Sequence, residues 1–238
     1  MGMINEYSPN LEIYFSGTVL DTLSFKEVLE LKDRLDYLPS VTFHAPFMDL
    51  SPGAADAKIR AVTAERFSHI FDVAEILNPK AIVFHSGYEK WRFGLKSERW
   101  LTESLKTWQP FLKRASETGT KIAIENIFED EPSNLKDLAE SLNSPNFGLC
   151  FDTGHFNLFS KISLKDWLDM TADYIIELHL HDNDKTYDAH LPIGEGTFNF
   201  QELFSYLKSK DLIYTIEAHN PERVLKSMQN LSQFLSGD

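Results

Sequence analysis

The 238-residue chain contains a single cysteine, Cys150, so it cannot form a disulfide within itself. One cysteine is typical of proteins of the reducing cytosol, and its place inside an apolar run predicts packing rather than a reactive thiol. No apolar run approaches the roughly 18 residues of a membrane span, and the amino terminus lacks a signal-peptide pattern. These absences predict a cytoplasmic protein that does not bind membranes.

Positive charge is also scarce in this sequence. Lys and Arg number 23 against 36 Asp and Glu, which gives a formal net charge of −13, and there is no basic run. Binding to the phosphates of nucleic acids usually shows as clustered Lys and Arg. The acidic balance therefore disfavours a nucleic-acid partner without excluding one, because bound divalent cations can reverse the local sign of an acidic site.

Short hydrophobic runs alternate with amphipathic segments along the whole chain. The strand-like runs cover residues 11–15, 41–44, 81–85, 122–125, 148–152, 175–181 and 214–217. Between them, helical spacing of apolar residues predicts helices over 56–77, 98–116, 134–142, 163–171, 200–208 and 221–235, with a Ser24–Glu27 capping box opening an earlier one. This alternation favours a parallel sheet with helical crossovers, and no composition shift interrupts the single domain predicted for residues 1–238.

Six of the seven runs end in a histidine or a carboxylate, whereas the first ends in Ser16 and Gly17. The six residues are His44, His85, Glu125, Asp152, His181 and Glu217. Such a group is costly to desolvate unless something pairs with it. An open sheet gathers ligands at one or two strand ends, but a (β/α) barrel brings all carboxyl ends to one mouth. The pattern therefore predicts a parallel TIM-type barrel.

The barrel predicted here has seven clear strands rather than eight. Only ten residues precede the first run, too few for a strand and a helix, so the first βα unit is missing or degenerate, with residues 3–7 as a poor substitute. An exposed first edge of such a barrel favours pairing with a second copy of the chain.

Local spacing adds three more metal-binding candidates: His155, three residues after Asp152, and the Asp188-x-His190 pair. Imidazoles and carboxylates without thiolates suit Zn²⁺, Mn²⁺, Co²⁺ or Fe²⁺. Nine candidates exceed the needs of one ion, and clusters of two or three ions serve phosphoester chemistry. With one ion, Glu125 and Glu217 would instead form a pair that removes and returns a proton beside a carbonyl.

Several motifs resemble the xylose-isomerase-like TIM-barrel superfamily: Phe84-His85-Ser86-Gly87, Ile124-Glu125-Asn126, Asp152-Thr153-Gly154-His155 and the loop from Asp188 to Gly196. That superfamily includes sugar and sugar-phosphate isomerases and epimerases, inosose dehydratases and endonuclease IV. In endonuclease IV three zinc ions have nine ligands, and the resemblance implies that all nine positions are filled here. These are His44, His85, Glu125, Asp152, His155, His181, Asp188, His190 and Glu217.

For the isomerases the resemblance implies one ion on Glu125, Asp152, His181 and Glu217, with the two glutamates as the acid/base pair. His179 faces the same side of its strand as His181 and is the alternative ligand; we prefer His181 because it lies nearer the strand end.

We therefore expect a divalent-metal-dependent isomerase or epimerase of a small sugar, sugar phosphate or related polyol ketone. The alternative is an endonuclease IV-like phosphodiesterase with a multinuclear zinc site that acts on abasic DNA, and a third class is a non-catalytic metal-binding barrel. One to three ions are expected, zinc first, with manganese or cobalt as alternatives. Phe47 and Trp91 are predicted to contact a sugar face, Lys185 to hold a phosphate, and Gly194-Glu195-Gly196 to form either a phosphate cradle or a tight turn.

Overall fold

The computed structural model describes residues 2–31, 37–94 and 96–235. Its strands are β1 (Leu11–Tyr14), β2 (Val41–His44), β3 (Ala81–His85), β4 (Lys121–Glu125), β5 (Phe147–Asp152), β6 (Ile175–Leu180) and β7 (Ile213–Ile216). Its helices are α1 (Gly2–Tyr7), α2 (Gly17–Thr22), α3 (Phe25–Leu31), α4 (Ala57–Leu77), α5 (Ser97–Thr118), α6 (Ser133–Leu142), α7 (Thr153–Phe159), α8 (Leu164–Thr171), α9 (Phe200–Leu207) and α10 (Pro221–Leu235).

The strands follow one another in sequence order, from β1 to β7, in one parallel sheet with helices between them. This is the predicted α/β TIM-type fold, and the residues that the structure describes contain the seven predicted strands. The suggestion that residues 3–7 supply a substitute strand is wrong, since residues 2–7 form helix α1. Within the ranges given above, no helix is long and apolar enough to cross a membrane.

Contacts divide the chain into two compact units, each described by itself below. The first comprises Met1–Ile124 and Asp137–Gly148, and the second comprises Glu125–Lys136 and Leu149–Asp238. The single domain over residues 1–238 stays a prediction.

In the first unit, helices α4 and α5 bury an aromatic core. Phe67 stacks on Trp108 with ring centroids 5.0 Å apart, and Phe71 stacks on Phe111 at 5.3 Å. Strand β1 pairs in register with β2, so that Tyr14 lies opposite His44. The carboxyl ends of these strands therefore lie side by side, which places the residues that follow them together.

In the second unit, β6 pairs with β5 on one side and with β7 on the other. A β-bulge between Leu149 and Cys150 shifts the β5–β6 register, so that Asp152 lies opposite His179. Cys150 is buried, and burial raises the pKa of its thiol well above the usual value, which fits the predicted packing role.

Candidate metal centre

Four carboxylates and four imidazoles lie together within the second unit. Each stands at the end of a strand or in the segment directly after one, because parallel strands bring their carboxyl ends to the same edge of a sheet. The eight residues are Glu125, Asp152, His155, His179, His181, Asp188, His190 and Glu217. We call this set the carboxylate–imidazole cluster. It contains seven of the nine predicted metal ligands and adds His179.

The imidazole of His179 lies between the two glutamates predicted to transfer protons. Its Nδ1 is 3.0 Å from Oε1 of Glu217 and 3.6 Å from Oε1 of Glu125. The same nitrogen is 4.0 Å from Oδ2 of Asp152, and the His179 side chain is fully buried. His179 therefore lies at the centre of the group formed by Glu125, Asp152 and Glu217, although the sequence favoured His181 as the metal ligand.

His181 lies at the centre of a second group, formed with Asp152, Asp188 and His190. Its Nε2 lies 3.0 Å from Oδ2 and 3.1 Å from Oδ1 of Asp152, and its Nδ1 lies 3.6 Å from Oδ1 of Asp188. Its ring stacks on that of His190, with centroids 4.0 Å apart and an interplanar angle of 9°. Nε2 of His190 in turn is 3.0 Å from Oδ2 of Asp188. Both members of the Asp188-x-His190 pair thus contact His181.

His155 contacts both the group around His179 and the group around His181. Its Nδ1 lies 3.2 Å from Oε1 of Glu125 and its Nε2 lies 3.5 Å from Oδ2 of Asp188. Burial by itself would lower the pKa of His155, but Asp152, Asp188 and Glu125 favour the charged imidazolium and raise the pKa to about 12. For His181, burial is likewise outweighed by Asp152, and its pKa is raised.

The carboxylates respond in the opposite direction. Burial would raise the pKa of Glu217, but the adjacent His179 lowers it to about 2, so the side chain is ionised at neutral pH. Asp188, whose carboxyl is also partly desolvated, has its pKa lowered by His155 and His190. The imidazole pKa values rise and the carboxylate pKa values fall for one reason: the opposite charges in the cluster stabilise one another.

The cluster has the donor atoms and the charge to hold a divalent cation. Nδ1 of His181 and Oδ1 of Asp188 are buried atoms without a hydrogen-bond partner in the described part of the chain. Three overlapping groups have donor atoms within 4.8 Å of one another: Asp152–His155–His181, His181–Asp188–His190 and Glu125–Asp152–His179. Nitrogen and oxygen donors of this kind are those of zinc, manganese and cobalt sites.

The Asp-Thr-Gly-His motif begins helix α7. Asp152 caps α7, because its Oδ1 accepts the N–H of His155 at 2.6 Å. Gly154 is required by a close approach: a Cβ at this position would lie 2.7 Å from Nε2 of His181 and nearer still to Cε1 and Nδ1 of that ring. Asn126 pairs reciprocally with the Asp152 backbone, accepting its N–H at 2.9 Å and donating to its carbonyl at 3.0 Å.

Two amides of the Gly194-Glu195-Gly196 loop are already bonded within the protein: the N–H of Glu195 donates to the Pro192 carbonyl at 2.9 Å and that of Gly196 to the Asp182 side chain. Buried Asp182 accepts the N–H of Gly196 at 2.8 Å and those of Thr197 and Phe198 at 3.1 Å each. The phosphate-cradle interpretation is therefore wrong for the amides of Glu195 and Gly196. Gly194 has a φ of 80°, which supports the tight-turn interpretation. This role of Asp182 could not be predicted from the sequence, since Asp182 and the amides that it accepts from are separated along the chain.

The remaining two predicted ligands lie in the first unit, together with Phe47. His44 ends β2 and His85 ends β3, and their ring centroids are 5.2 Å apart. Phe47 stacks on His85 at 4.2 Å with an interplanar angle of 18°. Trp91 is 76 % exposed. The structure therefore groups His44, His85 and Phe47.

Lys185 lies in the second unit, in the loop between β6 and the Asp188-x-His190 pair, with an exposed side chain. Its φ is 69°, and its N–H donates to Oδ1 of Asn183 at 3.1 Å. Its predicted contact with a phosphate stays a prediction.

The parallel α/β fold and the carboxylate–imidazole cluster at its strand ends define the class of a TIM-type barrel with a candidate metal centre. Comparison with known proteins makes this specific: residues 10–234 match the model of the xylose isomerase-like TIM barrel family. The chain belongs to this family.

Individual relatives agree with this assignment. MJ1311 of Methanocaldococcus jannaschii, described as an uncharacterized protein, is 31 % identical over 234 residues, which are 94 % of this chain and 79 % of the relative. A D-tagatose 3-epimerase-like protein of known structure is 30 % identical, with a TM-score of 0.79 over 94 % of this chain and 87 % of its own. The TTHB071 protein from Thermus thermophilus, solved after soaking with ZnCl₂, is 24 % identical, with a TM-score of 0.81 over 98 % and 91 %.

Proposed function

We propose that the protein is a divalent-metal-dependent isomerase or epimerase of a small sugar, sugar phosphate or related polyol ketone. The observation that carries the proposal is the pair Glu125 and Glu217, which approach the same buried nitrogen of His179 at 3.6 and 3.0 Å. The D-tagatose 3-epimerase-like relative supports an epimerase, and the zinc-soaked relative supports a cation.

The residues that would hold the cation come from the centre of the cluster. Glu125, Asp152, His181 and Glu217 are the predicted set, and the position of His179 adds it as a further ligand. A divalent cation bound by these groups would polarise a substrate carbonyl and so acidify the adjacent C–H.

The two glutamates would supply the proton transfers. Glu217 is ionised at neutral pH, since its pKa is lowered to about 2, and can accept a proton. One carboxylate removes the proton from the carbon beside the carbonyl, and the other returns a proton to the opposite face or to the neighbouring atom. Glu125 is 1 % exposed, so its carboxylate is shielded from bulk water.

The test is proton exchange in D₂O, followed by NMR on a panel of ketoses and ketose phosphates with Mn²⁺, Co²⁺ or Zn²⁺. We expect the wild-type protein to introduce deuterium beside the carbonyl. Glu125→Gln and Glu217→Gln should each reduce the rate by about 10²- to 10⁴-fold, the usual contribution of a general acid or base. Glu222→Gln, an exposed glutamate in the first turn of α10, is the matched control. Exchange at the parent rate in both site variants would refute the proposal.

One observation favours a second function, an endonuclease IV-like phosphodiesterase. The group His181–Asp188–His190 provides donors beyond those that one ion needs. The net charge of −13 opposes it, because duplex binding relies on basic side chains. Elemental analysis discriminates between the two. Close to three zinc ions per chain with cleavage of an abasic-site duplex would favour the phosphodiesterase, and one ion with proton exchange would favour the isomerase.

A further inference from the structure

Thr153 is a buried residue whose hydroxyl bonds to the backbone of a neighbouring strand. It is the first residue of α7, and its side chain is inaccessible to solvent. Its Oγ1 lies 2.7 Å from the carbonyl oxygen of His181 and 3.1 Å from that of His179. The N–H of His181 donates to the same oxygen at 3.1 Å. The hydroxyl thus acts as donor and acceptor on the segment that carries both imidazoles.

These bonds connect two parts of the cluster that are distant in sequence. Asp152 immediately precedes Thr153 and caps α7, and His155 lies in the first turn of that helix. His179 and His181 project from the end of β6. The Thr153 hydroxyl therefore joins the backbone that carries one pair of candidate ligands to the backbone that carries the other pair.

The next residue along α7 tightens this junction. The His181 ring packs so closely on Gly154 that a Cβ there would be 2.7 Å from its Nε2. The Gly154 carbonyl accepts a hydrogen bond from Nδ2 of Asn183 at 2.8 Å, just beyond β6. The first turn of α7 and the end of β6 are thus held together at Gly154 as well as at Thr153.

We propose that Thr153 is a positioning residue, which sets the spacing between Asp152 and His155 on one side and His179 and His181 on the other. The hydroxyl thereby sets the affinity of the cluster for a divalent cation. This inference rests on the proposed function, because a cation is its ligand. The physical reason is that a cation site requires donor atoms held at short, defined distances, and residues behind the ligands supply that rigidity.

Valine and serine separate the hydroxyl from the shape of the side chain. Thr153→Val keeps the branched shape but removes the donor and the acceptor, which leaves the His181 N–H buried without its partner. Thr153→Ser keeps the hydroxyl and loses only a methyl group. Thr171→Val is the matched control: Thr171 is also buried, and its Oγ1 donates to the carbonyl of Trp167 at 2.8 Å within α8, outside the cluster.

The experiment measures Zn²⁺ affinity of the full chain by calorimetry or chelator competition. We expect Thr153→Val to bind Zn²⁺ about 10- to 100-fold more weakly than the wild type, the usual effect of changing a residue behind a metal ligand. Thr153→Ser should retain most of the affinity and Thr171→Val all of it. If Thr153→Val is insoluble, Thr153→Ala removes the same hydroxyl and carries the same expectation.

Wild-type affinity in Thr153→Val would overturn the inference. It would also be overturned if Thr153→Ser were as weak as Thr153→Val, or if Thr171→Val lost as much affinity as Thr153→Val. A wild-type chain that fails to bind Zn²⁺, Mn²⁺ or Co²⁺ would overturn the proposed function itself. The two failures are therefore distinguishable.

Discussion

Replacing Gly154 with alanine should damage the candidate metal centre while leaving the fold in place. The added Cβ would be 2.7 Å from Nε2 of His181 and closer to two other atoms of the ring, so the imidazole must move. That same Nε2 lies 3.0 Å from Oδ2 of Asp152. Movement of the ring therefore separates two candidate ligands of one cation.

The magnitude follows from two opposing effects. Alanine is favoured over glycine inside a helix by up to about 1 kcal/mol. Overpacking a close-packed site costs about 1–3 kcal/mol. If the ring kept its place, the unfolding free energy of the chelator-treated protein would fall by about 3 kcal/mol at most, and it falls by less when the ring moves. Cation binding requires the original ring position, so the overpacking cost falls on the bound state and should weaken Zn²⁺ binding by roughly 5- to 150-fold.

The assay combines Zn²⁺ titration calorimetry with urea denaturation of chelator-treated protein. The control is Gly17→Ala, also in a helix, where the new Cβ would meet the Arg66 side chain only at an ordinary 3.6 Å. Gly17→Ala should bind Zn²⁺ like the wild type. If Gly154→Ala also bound Zn²⁺ with unchanged affinity, the reasoning that links the ring position of His181 to the cation would be refuted.

Two further predictions concern the cation and the charge of the cluster. Zn²⁺ at 100 times its dissociation constant should raise the unfolding free energy by about 2.7 kcal/mol, and a chelator should reverse this, as measured by thermal denaturation; an unchanged midpoint would contradict a native-state site. In chelator-treated protein, the unfolding free energy should fall as pH drops from about 4.5 toward about 2, because the folded state lowers the pKa of Glu217 and so binds fewer protons than the unfolded chain. Glu217→Gln should show a shallower fall in urea denaturation over that window, and an equal slope would count against this charge assignment.

The elements could be predicted closely from the sequence because their signals are local. The predicted helix over 56–77 is observed as Ala57–Leu77, capped by Asp56, whose carboxylate accepts the N–H of Lys58. The Ser24–Glu27 capping box is confirmed, since Glu27 accepts the Ser24 N–H at 2.9 Å and donates its own N–H to the Ser24 hydroxyl at 3.3 Å. Capping residues and apolar spacing act within a few positions of one another.

Helix α7 was not predicted, because the contacts that stabilise it are not local in the sequence. It is seven residues long, begins with Thr153-Gly154, and shows no apolar stripe that periodicity could detect. Its first turn is held by Asp152 and by contacts with His181, which lies far along the chain.

The chemistry of the site was determined by the sequence alone: six strands ending in histidines or carboxylates, with no thiolate among them, specify a cluster suited to a divalent cation. Only the tertiary structure decided which imidazole lies between Glu125 and Glu217. The alternation of side chains along β6 places His179 and His181 on one face of the strand. The β-bulge beside Cys150 sets the pairing of β5 with β6 that brings Asp152 opposite His179. Likewise, only folding brings the Asp182 carboxylate to the amides of Gly196 and Thr197. Both outcomes depend on partners distant in sequence, whose pairing is fixed by packing and hydrogen bonds rather than by local pattern.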